Sequence, residues 1–322
     1  QSPTLHLSLM EKSFCPTGRV GSKSAIAKMG IMDYLSYLAA GLRQTGHERT
    51  AETYIAAMKS FRRYRHGVDI RPAHLTSAIV ESYESWLHAR GLMANTISFY
   101  MRVLRAGYYR WADETGSECR RIFRRVYTGI DHTPKRALTV NCLRRINSLD
   151  LSGAPHLQLA RDLFMFSFFT RGMAFVDMAF LRKSDLRDNV LSYRRHKTGR
   201  RVTLNWEEQM AAIARRYANP QSSFILPIIR RPGLRERSQY RGSVTSVNRL
   251  LKVIGEMART PLPLTTYVAR HSWATIARQN NVPLSVISEG LGHSSERITG
   301  IYLAEIDRRV IDTANRRIIC SV

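Results

Sequence analysis

The sequence predicts a mainly α protein of two domains, the second an α+β unit with one small β region. Apolar residues recur at helical three- and four-residue spacing from Ile31 to Leu104. A basic segment over residues 113–136 then interrupts the pattern, with Gly116, Gly129 and Pro134 as breakers. Beyond it helical spacing returns except in NVLSYRRHKTGRRVTL, residues 189–204. There β-branched and aromatic residues flank Lys197-Thr198-Gly199, so a hairpin is expected with Lys197 at its turn. A chain of 322 residues, 44% of them hydrophobic, is long enough for two cores. The expected boundaries are an N-terminal tail at 1–27, a helical domain at 28–115, a basic linker at 116–136 and a second domain at 137–322.

In the first domain Ile31, Tyr34, Leu35 and Leu38 mark one helix, and Ile55, Met58 and Phe61 share a face of a second that opens near Thr50. Pro72 and Thr76 announce a third, carried by Ile79, Tyr83, Trp86 and Leu87 and closed by Gly91. Asn95-Thr96 is expected to cap a fourth, with Ile97, Tyr100, Val103 and Leu104 inward and Arg102, Arg105 and Arg110 outward. In the second domain residues 157–169 are largely apolar. They read as the central buried helix, which runs straight into Thr170-Arg171-Gly172-Met173. A helix over 205–217 is stopped by Asn219-Pro220, residues 230–241 read as a basic loop, and helical spacing resumes over 244–257. No repeat of solenoid period is present.

Fifty Lys and Arg against twenty-five Asp and Glu leave a formal charge of +25. Such an excess repels itself and favours a polyanionic partner, so nucleic acid is expected, with a merely soluble basic protein as the plain alternative. The cations also cluster. Lys59, Arg62, Arg63 and Arg65 end the second helix with no acid among them, and Arg102 and Arg105 lie outward on the fourth. Both sets are candidate phosphate contacts, although a solvated charged face produces the same pattern. No apolar run reaches the ~18 residues of a membrane span, and the first residues lack the basic segment and continuous apolar core of a secretory signal. A cytoplasmic protein with no membrane partner is therefore expected. Cys15, Cys119, Cys142 and Cys320 are scattered without metal-binding spacing and read as reduced and structural.

Residues 266–302, TYVARHSWATIARQNNVPLSVISEGLGHSSERITGIY, concentrate the chemistry. Arg270 and His293 precede Tyr302, and Ser294, Ser295 and Thr299 lie between His293 and the tyrosine, a set that reads as a phosphate site beside an attacking hydroxyl. A phenol with a pKa near ~10 is a poor nucleophile at neutral pH, so tyrosine attack on phosphorus needs preorganised donors on the nonbridging oxygens. Arginine supplies a permanent, forked charge for that purpose. Each residue also has a plain reading: Arg270 in an internal ion pair, His293 as a buried structural histidine, Tyr302 as a core aromatic, Lys197 as a surface lysine of a turn.

Leu291-Gly292-His293-Ser294-Ser295 followed by Thr299 and Tyr302, together with Arg270-His271-Ser272-Trp273-Ala274-Thr275, resembles the C-terminal signature of the tyrosine recombinases, or phage-type integrases. The pattern is similar to the short integrases and invertases of Bacteroides-type bacteria and their mobile elements. The resemblance implies a two-domain DNA clamp, with 28–115 as a SAM-like core-binding domain and 137–322 as the catalytic domain. It implies that Tyr302 attacks the scissile phosphate to leave a 3′-phosphotyrosine and a free 5′ hydroxyl. Arg270 and His293 would hold the phosphate and Lys197 would protonate the leaving oxygen. The implied activity is site-specific recombination of double-stranded DNA, for integration, excision or inversion, by a homo-tetramer on paired sites. An accessory DNA-bending protein is a candidate partner, no metal or cofactor is required, and the bound enzyme would sit on the bacterial nucleoid.

Two positions depart from the family pattern. Tyr267 stands where H-x-x-R carries its histidine; it is expected to be a site residue, with proton removal from Tyr302 falling to His293 or to water. Aligning the acid of T-G-L-R-x-x-E with Asp177 puts Ala174 at the arginine position. Arg171, three residues earlier, is expected to reach the same phosphate, against a competing reading that pairs it with Asp177 or Asp162. These departures keep two alternatives in view: a type IB topoisomerase-like relaxing enzyme, and a noncatalytic DNA-binding protein of the same fold.

Overall fold

The computed structural model describes residues 22–131, 137–293, 295–296, 299–300 and 319–320, and the chain divides into two compact units, Gln1–Thr133 and Pro134–Val322. The first unit is helical: α1 (Lys23–Lys28), α2 (Ile31–Gln44), α3 (Glu48–Tyr64), α4 (Ser77–Ala89) and α5 (Ala94–Thr115), with a 3-10 turn at Pro72–His74. The apolar stripes meet as their spacing requires, burying Ile31, Leu35, Phe61, Tyr83, Leu87, Ile97 and Leu104 in one core. Each such side chain contributes about 1.5–3 kcal/mol relative to exposure. Helix starts are satisfied by side chains, one local and one distant in sequence. Thr76 Oγ1 accepts from Ile79 N at the start of α4, and the carboxylate of Asp69 accepts from Met32 N and Asp33 N at the start of α2, at 3.0 and 3.1 Å.

Three expectations change here. The tail was set to end at residue 27, but α1 already occupies Lys23–Lys28, with Ile26 buried and its carbonyl accepting from Trp111 Nε1 at 3.2 Å. Asn95 does not cap α5, whose first turn follows Met93. Its side chain instead pairs with the backbone of Asp131, at 2.9 and 2.8 Å. The stretch read as a basic linker also packs: Ile122, Phe123 and Val126 are buried in the core of the first unit while their arginine neighbours face outward.

The second unit comprises α6 (Val140–Asn147), α7 (Pro155–Phe169), α8 (Phe175–Ala179), β1 (Leu186–Arg187), β2 (Val190–Arg194), β3 (Arg201–Asn205), α9 (Glu208–Arg216), α10 (Glu236–Met257), α11 (Thr266–Gln279) and α12 (Leu284–Gly290). As expected, α7 is the buried centre, and α6, α9, α10 and α11 pack against it. The hairpin forms as an antiparallel β2–β3 pair, with Leu191 opposite Leu204 and Tyr193 opposite Val202, all four buried. A third strand, β1, adds to β2 in the order β1-β2-β3. α10 begins at Glu236, so the second half of the expected basic loop is helix. Cys119, Cys142 and Cys320 are free thiols, and Cys15 lies outside the described residues. No helix among the described residues is long and apolar enough to cross a membrane.

Candidate active site

The site is built where three chain reversals of the second unit meet. α7 ends at Phe169, and two consecutive residues with positive φ, Arg171 (59°) and Gly172 (73°), turn the chain back toward α8. Only glycine adopts that backbone freely, so Arg171 carries strain of the kind that clusters at functional sites. The turn brings the carbonyl of Gly172 to Arg270 on α11, which donates from Nη1 at 2.7 Å. Arg270 is 4% exposed. Its Nη2 donates to Leu291 O at 2.6 Å and lies 3.0 Å from His293 Nε2. A Cβ at position 172 would stand 2.7 Å from the Arg270 Cα, so the two segments touch backbone to backbone. Gly172→Ala is therefore expected to lower stability by about 2 kcal/mol and to slow any reaction that needs Arg270. Thermal unfolding checks it, and an unchanged midpoint would show that α11 moves away at no cost.

His293 follows α12 through Gly292, whose φ of 62° ends the helix in the left-handed turn glycine favours. Burial first, and then the charges of Arg270, Arg195 and Lys197, push the His293 imidazole down to about 4. It is thus neutral at neutral pH. Because Arg270 can only donate, Nε2 accepts, which places the ring hydrogen on Nδ1, where it donates to buried Thr299 Oγ1 at 2.8 Å.

The other expected site residues fall as follows. Arg171 is half-buried; its Nη1 donates to Thr203 O at 3.4 Å, and its side chain passes Gly290. Among the described residues no carboxylate pairs with it. Asp162 is engaged by Arg161, Arg216 and Tyr217, and Asp177 by Arg195 and the His196 amide. Neither structural partner considered for Arg171 is therefore its partner. Lys197 is exposed at the β2–β3 turn, near enough for its charge to act on His293. Tyr267 occupies the first turn of α11, 51% exposed, with its ring edge-on to His271 at 4.6 Å between centroids. Tyr302 and Ser294 lie outside the described residues.

In the first unit Lys59, Arg62 and Arg63 share one face of α3 by their spacing, and all three are exposed, with Arg65 half-buried just beyond the helix. On α5 Arg102 is exposed and donates from Nε to Ser98 O at 3.4 Å, while half-buried Arg105 donates to Thr128 Oγ1 at 3.2 Å. Arg105 is thus partly committed within the fold.

Arg195 was missed by sequence reasoning. It is 7% exposed, with Nε 3.5 Å from Asp177 Oδ2 and Nη1 donating to Gly292 O at 2.8 Å. The signal was present: Leu191, Tyr193 and Arg195 alternate inward, which puts a charge on the buried face of the hairpin.

Comparison with known proteins agrees with this architecture. The profile of the phage integrase family matches residues 138–309, and that of the phage integrase SAM-like domain matches residues 31–110. No curated protein matches the chain by sequence. Among solved structures the fold is similar to the Tn1549 transposon integrase in complex with transposon right end DNA, at a TM-score of 0.64 and 17% identity over 90% of this chain and 99% of that one. It is similar to a lambda integrase dimer bound to a COC′ core site, at 0.65 and 16% over 90% and 84%. It is also similar to the XerH site-specific recombinase bound to its difH substrate, at 0.59 and 17% over 88% and 84%. With more than half of its length matched by the family profile, the chain belongs to the phage integrase family and is a tyrosine site-specific recombinase.

Proposed function

We propose that this recombinase cuts and rejoins double-stranded DNA through Tyr302, with Arg171, Arg270, His293 and Lys197 around the scissile phosphate. The observation that carries the assignment is the buried guanidinium of Arg270 facing His293 Nε2 at 3.0 Å, next to the turn that carries Arg171, a cation with no carboxylate partner among the described residues. Such an arrangement is a preorganised anion site. In the proposed step the P–Oη bond to Tyr302 forms as the P–O5′ bond breaks. Lys197 Nζ gives its proton to the departing 5′ oxygen, and the phenolic proton passes to His293 or to water. The arginines hold the charge that develops on the nonbridging oxygens. The phosphotyrosine keeps the bond energy, so a 5′ hydroxyl reverses the step without a cofactor. Tyr267, exposed at the mouth of α11, is assigned to the substrate side of the site.

The formal charge of +25 and the DNA-bound state of the similar structures support DNA as the partner. Lys59, Arg62, Arg63, Arg65, Arg102 and Arg105 are proposed to contact its phosphates from the first unit, and the basic residues of 116–136 to contact the same polyanion. Exchange between two sites breaks four strands, which calls for four tyrosines and hence a homo-tetramer. An accessory DNA-bending protein would assist the pairing of sites, and the working place of the enzyme is the bacterial nucleoid. Covalent trapping tests the reading. The protein is incubated with DNA from its own genomic neighbourhood, denatured, and any linked strand sequenced beside Tyr302→Phe. A 3′ adduct is expected for the native protein and none for the variant. Specific binding without any adduct would overturn the catalytic assignment.

A further inference from the structure

We propose that Arg195 is a positioning residue that sets the general acid Lys197 against the phosphate site by tying the β2–β3 turn to the Gly292–His293 turn and to Asp177. The proposal rests on the assignment of Lys197 as the acid and extends it. A guanidinium buried to 7% exposure is costly unless its partners are fixed, and those of Arg195 come from two separate segments. Its Nε faces the Asp177 carboxylate at 3.5 Å, and the other oxygen of that carboxylate accepts from the backbone of His196 at 2.8 Å. Its Nη1 donates to Gly292 O at 2.8 Å. Asp177, on the short helix that follows the Arg171–Gly172 turn, thus grips the chain immediately before Lys197.

A second arginine repeats the strap. Arg195 N donates to Arg200 O at 2.8 Å, closing the turn that holds Lys197, and Arg200 Nη1 donates to His293 O at 2.5 Å. Gly292 is required for this contact on two counts: its φ is 62°, and a Cβ there would meet Arg195 Cδ at 2.5 Å. The exposed turn carrying the acid is thereby indexed to the histidine that faces the phosphate. Proton donation needs the donor within hydrogen-bond reach of the leaving oxygen, so freeing the turn should cost rate in the protonation step rather than in the binding of DNA.

The test uses the DNA strand recovered by covalent trapping, made twice: once with the native 5′ oxygen at the scissile phosphate and once with sulfur in its place. A thiol, with a pKa of about 8.5, leaves without being protonated, so the sulfur substrate bypasses the general acid. Arg195→Met is expected to cleave native DNA at least ~10²-fold more slowly and to recover most of that loss on the sulfur substrate, as Lys197→Ala should. Arg200→Gln, at an exposed position, is expected to show a smaller loss with the same recovery. If the lone Asp177 charge prevents Arg195→Met from folding, Arg195→Met combined with Asp177→Asn removes both buried charges. Recovery by Lys197→Ala without recovery by Arg195→Met or Arg200→Gln would overturn the proposal alone. No recovery by Lys197→Ala would overturn the general-acid assignment and the proposal with it.

Discussion

Arg171→Ala is expected to lower DNA cleavage by at least about 10²-fold while leaving the affinity for the duplex within a few-fold of native. Removing one preorganised donor from a developing anion costs about 2.7–4 kcal/mol in comparable sites. Arg171 is placed for that role by backbone rather than by helix register. Its φ of 59° aims the side chain out of the α7 terminus, past Gly290 and toward the edge of β3, where its only described hydrogen bond is a long one of 3.4 Å to Thr203 O. A guanidinium held in a strained turn without a carboxylate partner among the described residues, beside a buried Arg270, pays a repulsion that a bound phosphate relieves. Binding is spread over many cations of a chain with a formal charge of +25 and should hardly register the loss of one. Single-turnover cleavage of the trapped site, alongside a salt-matched binding curve, separates the two quantities. Cleavage at the native rate would assign the charge at the missing arginine position to another cation.

The same turn shows how far the sequence was legible. The apolar run ending in Phe169 declared α7 because a helix buried on all sides needs no polar stripe, and the spacing of Arg270 and His293 brought both into one site. In the first unit α5 was legible for the same reason as its neighbours, but its cap was not. Asn95 suits an N-cap in isolation, and only the nearby Asp131 backbone diverts it. β1 spans two residues, too few to show an alternation. Ile122, Phe123 and Val126 were masked by surrounding arginines in a segment without regular secondary structure, where periodicity gives no signal and burial is decided by tertiary packing. Arg195 is the sharpest case. Charge type argued for the surface while strand alternation argued for the interior, and alternation won because Asp177 supplies the partner. The acid at the motif position, Asp177, thus holds the hairpin rather than Arg171.

His293 carries the second large expectation, a loss of stability on mild acidification that disappears in His293→Gln. Its imidazole titrates at about 4 in the folded protein against an ordinary value near 6.5. As pH falls below ~6.5 the unfolded chain takes up a proton that the folded one refuses. The unfolded state then binds more protons, so folding stability falls with pH throughout that window and levels off below about 4. With roughly 1.4 kcal/mol for each pH unit, the contribution is about 2 kcal/mol between pH 7 and pH 5. Urea unfolding at the two values measures it, and the native protein should lose that much more than His293→Gln, which keeps a donor and an acceptor but does not titrate. Equal losses in both proteins would mean that the ring is already solvated or charged. The sign reverses at the phosphate. In the free protein Nε2 accepts from Arg270, whereas toward a phosphate oxygen it must donate, and the anion favours the imidazolium. Acidification should therefore weaken the empty protein while strengthening its grip on the scissile phosphate, and with the ring so protonated the phenolic proton passes to water. A histidine serving only as a packed structural residue would produce the first effect without the second.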